Sequence, residues 1–150
     1  MRFSILVSTA FVAALNASAI PNGFSFAYEN RTLEKTDKPK CDCWGSIMCA
    51  TLKVQDCDEA VNYKLIRNDD INYGAVGSGM PHLGVCHGIG TDFGCGILIT
   101  GNPGCVRSGN DMWWDYQDIR KSGCHHCGKK YWGDGCATTI DYYPECGKVH

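Results

Sequence analysis

The chain has 150 residues and is close to charge-balanced, with 14 Lys plus Arg against 16 Asp plus Glu and a net charge of −2. No basic stripe of the kind that binds nucleic acid is present. After the N-terminal leader no segment approaches the roughly 18 consecutive apolar residues needed to span a bilayer, so a nucleic-acid binder and a stably inserted membrane protein are both excluded as readings.

Residues 1–19, MRFSILVSTAFVAALNASA, combine an early positive charge at Arg2, an apolar run from Ile5 to Leu15 and a small-residue exit at Ala17, Ser18 and Ala19. This is the pattern of a secretory signal peptide, and a secreted, extracellular protein is expected. Residues 20–40 lack cysteine and end in a charged run with Pro39, and they read as a flexible arm or pro-segment. Within that arm Asn30, Arg31 and Thr32 form an N-glycosylation sequon. The remainder, 41–150, reads as one disulfide-rich domain, because all eleven cysteines fall between Cys41 and Cys146. Eleven is odd, so at least one thiol stays free or pairs with another chain.

Along this domain, residues 45–54 carry Ile47, Met48, Leu52 and Val54 at near-helical spacing and suggest a short helix. A second helical piece is expected at 58–68, with Val61, Leu65 and Ile66 on one side. Eight glycines between Ile71 and Gly96 favour short strands and turns. Residues 108–123 form the best helix: Ser108 or Asn110 caps its start, Arg120 and Lys121 suit its end, and Gly123 takes the left-handed closing conformation. Met112, Tyr116 and Ile119 lie on its buried face. Residues 136–146 alternate and are rich in Thr, Ile and Tyr, which predicts a strand between Cys136 and Cys146.

Several chemistries compete for these residues. Cys124 and Cys127 with His125 and His126 between them resemble half of a zinc site. The other close pair, Cys41 and Cys43, has a spacing poorly suited to chelation, and the CxxC follows a helix where a thioredoxin-like motif would precede one. No GxGxxG, GxxxxGK[ST] or GxSxG sequence occurs. Asn68, Asp70 and Asn72 alternate as in a calcium loop, yet Tyr73 stands where its glycine belongs and Gly79 where its glutamate belongs. Glu59, Asp118, Asp134, Asp141 and Glu145 offer carboxylates, and His82, His87, His125, His126 and His150 offer bases, but no nucleophile pattern accompanies them. No cofactor is expected.

Two motifs combine into a resemblance. CDCWGSIMC places Gly45 and Ser46 between Cys43 and Cys49, and CVRSGNDMWWDYQDIRKSGCHHCG runs from a cysteine through a helix into GCxxCG. Together they resemble the killer toxin family typified by the smut-fungus killer protein 4. The resemblance implies an α+β fold, a disulfide-rich α/β sandwich whose mainly antiparallel sheet carries two helices on one face. It implies pairings of Cys43 with Cys124, Cys49 with Cys127 and Cys86 with Cys146. Cys57 with Cys105 and Cys95 with Cys136 complete the expected set, leaving Cys41 free. It further implies a non-enzymatic, monomeric secreted toxin that acts on a target-cell surface protein, in that family a calcium channel. Three departures accompany it. Gly84 stands where the family has its functional lysine, Asp111 or Met112 where it has a helix cysteine, and this chain is mildly acidic where the family toxin is basic.

An effector or ligand-binding module that keeps the fold without channel activity, and a small secreted hydrolase, are the rival readings. A hydrolase would show a deep cleft lined by two acids, or by His87 beside an acid. The loop after the helix, at His125, His126, Lys129, Lys130, Tyr131 and Trp132, has two readings: a contact patch, because aromatic and cationic side chains together suit binding surfaces, or a wet loop in which Tyr131 and Trp132 pack into the core and the lysines stay solvated.

Overall fold

The computed structural model describes residues 40–88 and 92–149. The expected signal peptide at 1–19, the arm up to residue 39, the Asn30 sequon and His150 lie outside them.

Helix α2, Gly109–Lys121, anchors the architecture. The Ser108 hydroxyl caps it by accepting from the Asp111 amide at 3.0 Å. At the other end Gly123, with φ of +97°, lets its amide and that of Cys124 return to the carbonyls of Arg120 and Ile119. Met112, Tyr116 and Ile119 are fully buried, as their spacing predicts. A shorter helix, α1, spans Val54–Glu59 and continues as a π-helical turn over Ala60–Lys64. It begins four residues before the expected piece and ends before it. Val61 and Leu65 are buried, whereas Ile66 is exposed.

The helices pack on one face of a five-stranded antiparallel sheet of order β1-β6-β7-β4-β3. Its strands are β1 Cys41–Asp42, β3 Gly84–His87, β4 Gly94–Thr100, β6 Gly128–Gly133 and β7 Cys136–Tyr143. Register explains which residues meet the helices. Cys41 is paired with Lys130, Lys130 with Thr138, Thr138 with Ile99, Ile140 with Ile97 and Ile97 with Val85, so these side chains share one face. The glycine-rich stretch resolves, as expected, into short strands, including β2 Ile71–Gly74. That strand pairs with β5 Val106–Ser108 in a separate two-stranded sheet.

Residues 45–54 depart from the expectation. They form a five-residue 3₁₀ turn, Ile47–Thr51, in which nothing is buried, because Ile47 and Met48 face outward and offer no apolar stripe to the core. The calcium-like stretch is a self-bonded turn: the Asn72 amide donates to Asn68 at 2.9 Å and Asn68 to Asp70 at 3.3 Å.

Five disulfides are present. Cys43–Cys124, Cys49–Cys127 and Cys86–Cys146 join as the resemblance implies. The other expected pairs, Cys57 with Cys105 and Cys95 with Cys136, are replaced by Cys57–Cys95 and Cys105–Cys136. Topology is the reason. Cys57 on α1 faces Cys95 on the helix side of β4, with Cα atoms 5.1 Å apart. Cys105 closes the turn after β4, which is tied to the β6–β7 turn through the Asn102 amide and the Asp134 carbonyl, 2.9 Å apart. That bond brings it beside Cys136. Cys41 alone is a free thiol.

Candidate contact surface

The segment that makes the 3₁₀ turn cannot pack itself, so sulfur fixes it. Two disulfides tie residues 43 and 49 to residues 124 and 127, at the C-terminal end of α2. Polar contacts complete the attachment. Asp141 on β7 accepts from the Ser46 amide at 2.9 Å and the Ser46 hydroxyl at 2.8 Å, and the Leu52 carbonyl lies 2.8 Å from His126 Nδ1. Beneath the CxxC loop the Arg120 guanidinium stacks on Tyr116, 4.8 Å from the ring centre, and donates to the carbonyls of Cys124 and His126 at 2.9 and 3.0 Å.

The result is a tethered tip whose large apolar side chains are exposed. Trp44 is 80% exposed, Ile47 97% and Met48 41%. A groove of about 400 Å³ runs between Ile47 and Ala50 on one side and His125 and His126 on the other. Three large apolar side chains are left in water within one tethered segment, which therefore does not serve to pack the core.

The six residues expected to form one patch do not come together, and the alternation along β6 is the reason. His125 and His126 are exposed at the tip. Lys130 turns to the helix side, where its ammonium lies 2.7 Å from both Asp115 and Asp118 and only 15% of its side chain is exposed. Trp132 is half-buried, its indole donating to Thr138 at 3.2 Å beneath the Arg107 guanidinium. Lys129, half-buried, and Tyr131 occupy the opposite face, where the Tyr131 hydroxyl donates to Asp42 at 2.7 Å. That hydrogen bond holds the Tyr131 phenol above its ordinary pKa. Lys130 and Trp132 are thus set apart from the exposed His125 and His126, beside which Trp44, Ile47 and Met48 of the tethered segment are also exposed.

Sequence reasoning also passed over Asp115, which is 1% exposed at the centre of the α2 face. Arg107 meets it in a two-pronged pair, both contacts 3.1 Å, while Lys130 and the Thr138 hydroxyl take up the remaining acceptor positions. Burial alone would lower the Lys130 pKa, but the hydrogen bonds to Asp115 and Asp118 outweigh it and hold the ammonium above its ordinary value. Every charge in this cluster has a counterpart, which makes it a fold-specifying element. Its signal was available: Asp115 is three residues from Met112 and four from Ile119, so an acid sits inside the apolar stripe.

The acids and bases weighed for hydrolysis are dispersed. His87 pairs with Glu59 at 2.8 Å across β3 and α1, but neither residue borders the tip groove or a second groove of about 330 Å³ near Lys64, His82 and Gly84. Asp118 serves Lys130, Asp141 serves Ser46, and Glu145 serves Lys148. Cys124 and Cys127 are consumed as disulfides, and among the described residues no group of three His, Cys, Asp or Glu side chains is placed to hold a metal. Cys41 is half-buried beside Ser122 and Lys130, and burial pushes its thiol pKa up, so it stays protonated and weakly reactive.

Gly84 is closed to side chains. A Cβ there would strike the Ile97 carbonyl on the paired strand and lie 2.8 Å from the Leu98 Cα. Any residue bearing a functional side chain at this position would have to push β3 from β4.

The family model for the Meiotically up-regulated gene family, MU117, matches residues 41–146. The matched segment begins and ends on a cysteine and takes in all eleven of them, together with both helices and the whole five-stranded sheet. No curated protein and no solved structure matches the chain. With the disulfide-bonded body and its tip both inside the matched residues, the chain belongs to the Meiotically up-regulated gene family.

Proposed function

We propose that this chain is a secreted, non-enzymatic protein that acts by contact at the surface of a competing microbe or a host cell, in the manner of a killer toxin, with its disulfide-tethered tip as the contact surface. The observation that carries the reading is the exposure of Trp44, Ile47 and Met48 in a turn fixed by two disulfides. Holding an apolar turn rigid lowers the ordering entropy lost on binding. Five disulfides in a chain of this size fit an oxidising, extracellular setting, in agreement with the leader pattern at 1–19.

The closure at Gly84 favours a second reading, an effector that has kept the body of the fold without channel activity. The two readings separate in one assay: growth of fungal and plant cells exposed to the purified, oxidised protein, with and without added calcium. Inhibition relieved by calcium supports channel antagonism. Inhibition indifferent to calcium supports contact without a channel, and absence of inhibition moves the reading to the effector, to be followed by a binding screen against cell-wall glycans and host membrane proteins. A small secreted hydrolase stays as a third reading, supported by the His87–Glu59 pair at 2.8 Å, although neither residue lines the tip groove or the groove near Lys64, His82 and Gly84.

A further inference from the structure

We infer that the tip docks on an anionic phospholipid surface, with Trp44 and Ile47 entering the headgroup layer. The inference rests on the contact reading and specifies its partner.

The first support is the kind of side chain exposed. Trp44 at 80% and Ile47 at 97% exposure are separated by only Gly45 and Ser46, with Met48 next in line. Tryptophan combines a large apolar surface with a polar N–H and is favoured at membrane interfaces for that reason. A flat protein partner would be expected to meet a broad apolar face with a polar rim. Here the exposed apolar side chains of the tip are confined to the five residues 44–48, which suits shallow insertion.

The second support is charge. Residues 43–55 and 119–133, the two segments that disulfides join into the tip, contain no aspartate or glutamate, although the whole chain has 16 acids against 14 Lys plus Arg. Exposed Lys53, Lys121, His125 and His126 lie in these segments. The half-buried acids Asp42 and Asp141 adjoin the tip and are engaged by hydrogen bonds: Asp42 accepts from the Trp44 amide and the Tyr131 hydroxyl, and Asp141 from Ser46 and the Tyr142 amide. Within the two tip segments the formal charges are thus all cationic in a mildly acidic protein, the complement of a surface bearing negative headgroups.

The third support is rigidity. The Cys43–Cys124 and Cys49–Cys127 bonds fix the turn before contact, so insertion need not order it. Among the described residues no helix is long and apolar enough to cross a membrane, which is consistent with docking on the bilayer rather than spanning it.

The test uses the purified, oxidised protein with vesicles of phosphatidylcholine alone and of phosphatidylcholine mixed with phosphatidylserine. Co-sedimentation with the mixed vesicles, weakened by added salt, is expected, together with quenching of tryptophan fluorescence by brominated lipid. A Trp44→Ala/Ile47→Ser double variant, which alters no buried residue, is expected to lose at least about tenfold in partitioning. Failure to sediment with anionic vesicles, or sedimentation unchanged in the double variant, overturns the inference. The same variant applied to cells separates the two levels. If it loses cell association while neither protein binds vesicles, the tip reading stands and its partner is a protein or glycan, so the lipid inference fails. If it associates with cells as well as the parent does, the contact reading itself fails.

Discussion

The tip and the α2–sheet core solve the same problem, holding a chain segment in one place, by opposite means. Around Asp115 the chain is held by burial and by a polar cluster in which Arg107, Lys130 and Thr138 share one carboxylate. In the 3₁₀ turn Ile47–Thr51 nothing is buried, and two covalent bonds replace packing. Apolar side chains that the core does not use remain outside, on a segment held by covalent bonds instead of packing.

The contrast predicts unequal responses to mutation and reduction. The largest effect is expected for Asp115→Ala, which strands two buried or half-buried cations and removes the acceptor of Thr138; a loss of about 3–5 kcal/mol in urea denaturation is expected. A loss below about 1 kcal/mol would mean that the cluster is not what fixes α2 on the sheet. Next comes the order of reduction. Each tip bond has one accessible partner, Cys43 exposed and Cys49 half-buried against buried Cys124 and Cys127, whereas both partners are buried in Cys57–Cys95 and Cys105–Cys136. Mild reductant without denaturant should therefore release the four tip cysteines at least about tenfold faster than the four of Cys57–Cys95 and Cys105–Cys136, as read by alkylation and mass spectrometry. Simultaneous release of all of them would erase the distinction between the two regions.

Alkaline pH should act on the core and spare the tip. Lys130, Tyr73 and Tyr116 all have pKa values raised in the folded state: for the tyrosines burial is the leading cause, and for Lys130 the two carboxylates prevail over burial. A raised folded pKa gives stability that is intact below the unfolded value and is lost as pH rises toward the folded one. Stability should thus fall above about pH 10, and Lys130→Met should flatten part of that fall. The smallest effect belongs to Trp44→Ala/Ile47→Ser, whose melting free energy should match the parent within about 0.5 kcal/mol. A larger loss would show the tip to be structural.

Elements with a strong local signal were legible in the sequence. Helix α2 announces itself through Ser108, Gly123 and the Met112, Tyr116, Ile119 stripe, and β7 through its alternation from Cys136. Elements that depend on neighbours were not. Strand β6 reads as a wet loop because Lys129 and Lys130 stand together, and only the fold supplies Asp115 and Asp118 as partners for one of them. Cys57 and Cys105 look equally available until α1 is laid across β4 and the turn at Asn102 is tied to the one at Asp134. The tip was half legible. The CxxC end of it stands out for its histidines, but Ile47 and Met48 read only as part of a short helix, since periodicity alone does not tell an apolar residue that packs from one that is exposed.

If a covalently fixed apolar tip is what this protein presents to a cell, cell association must depend on the two tip disulfides. The oxidised protein should associate with fungal or plant cells, and selective reduction and capping of Cys43, Cys49, Cys124 and Cys127 should abolish that association while the far-ultraviolet circular dichroism of the sheet and α2 is retained. Association that survives opening of the tip, or an oxidised protein that touches no cell, would contradict the account.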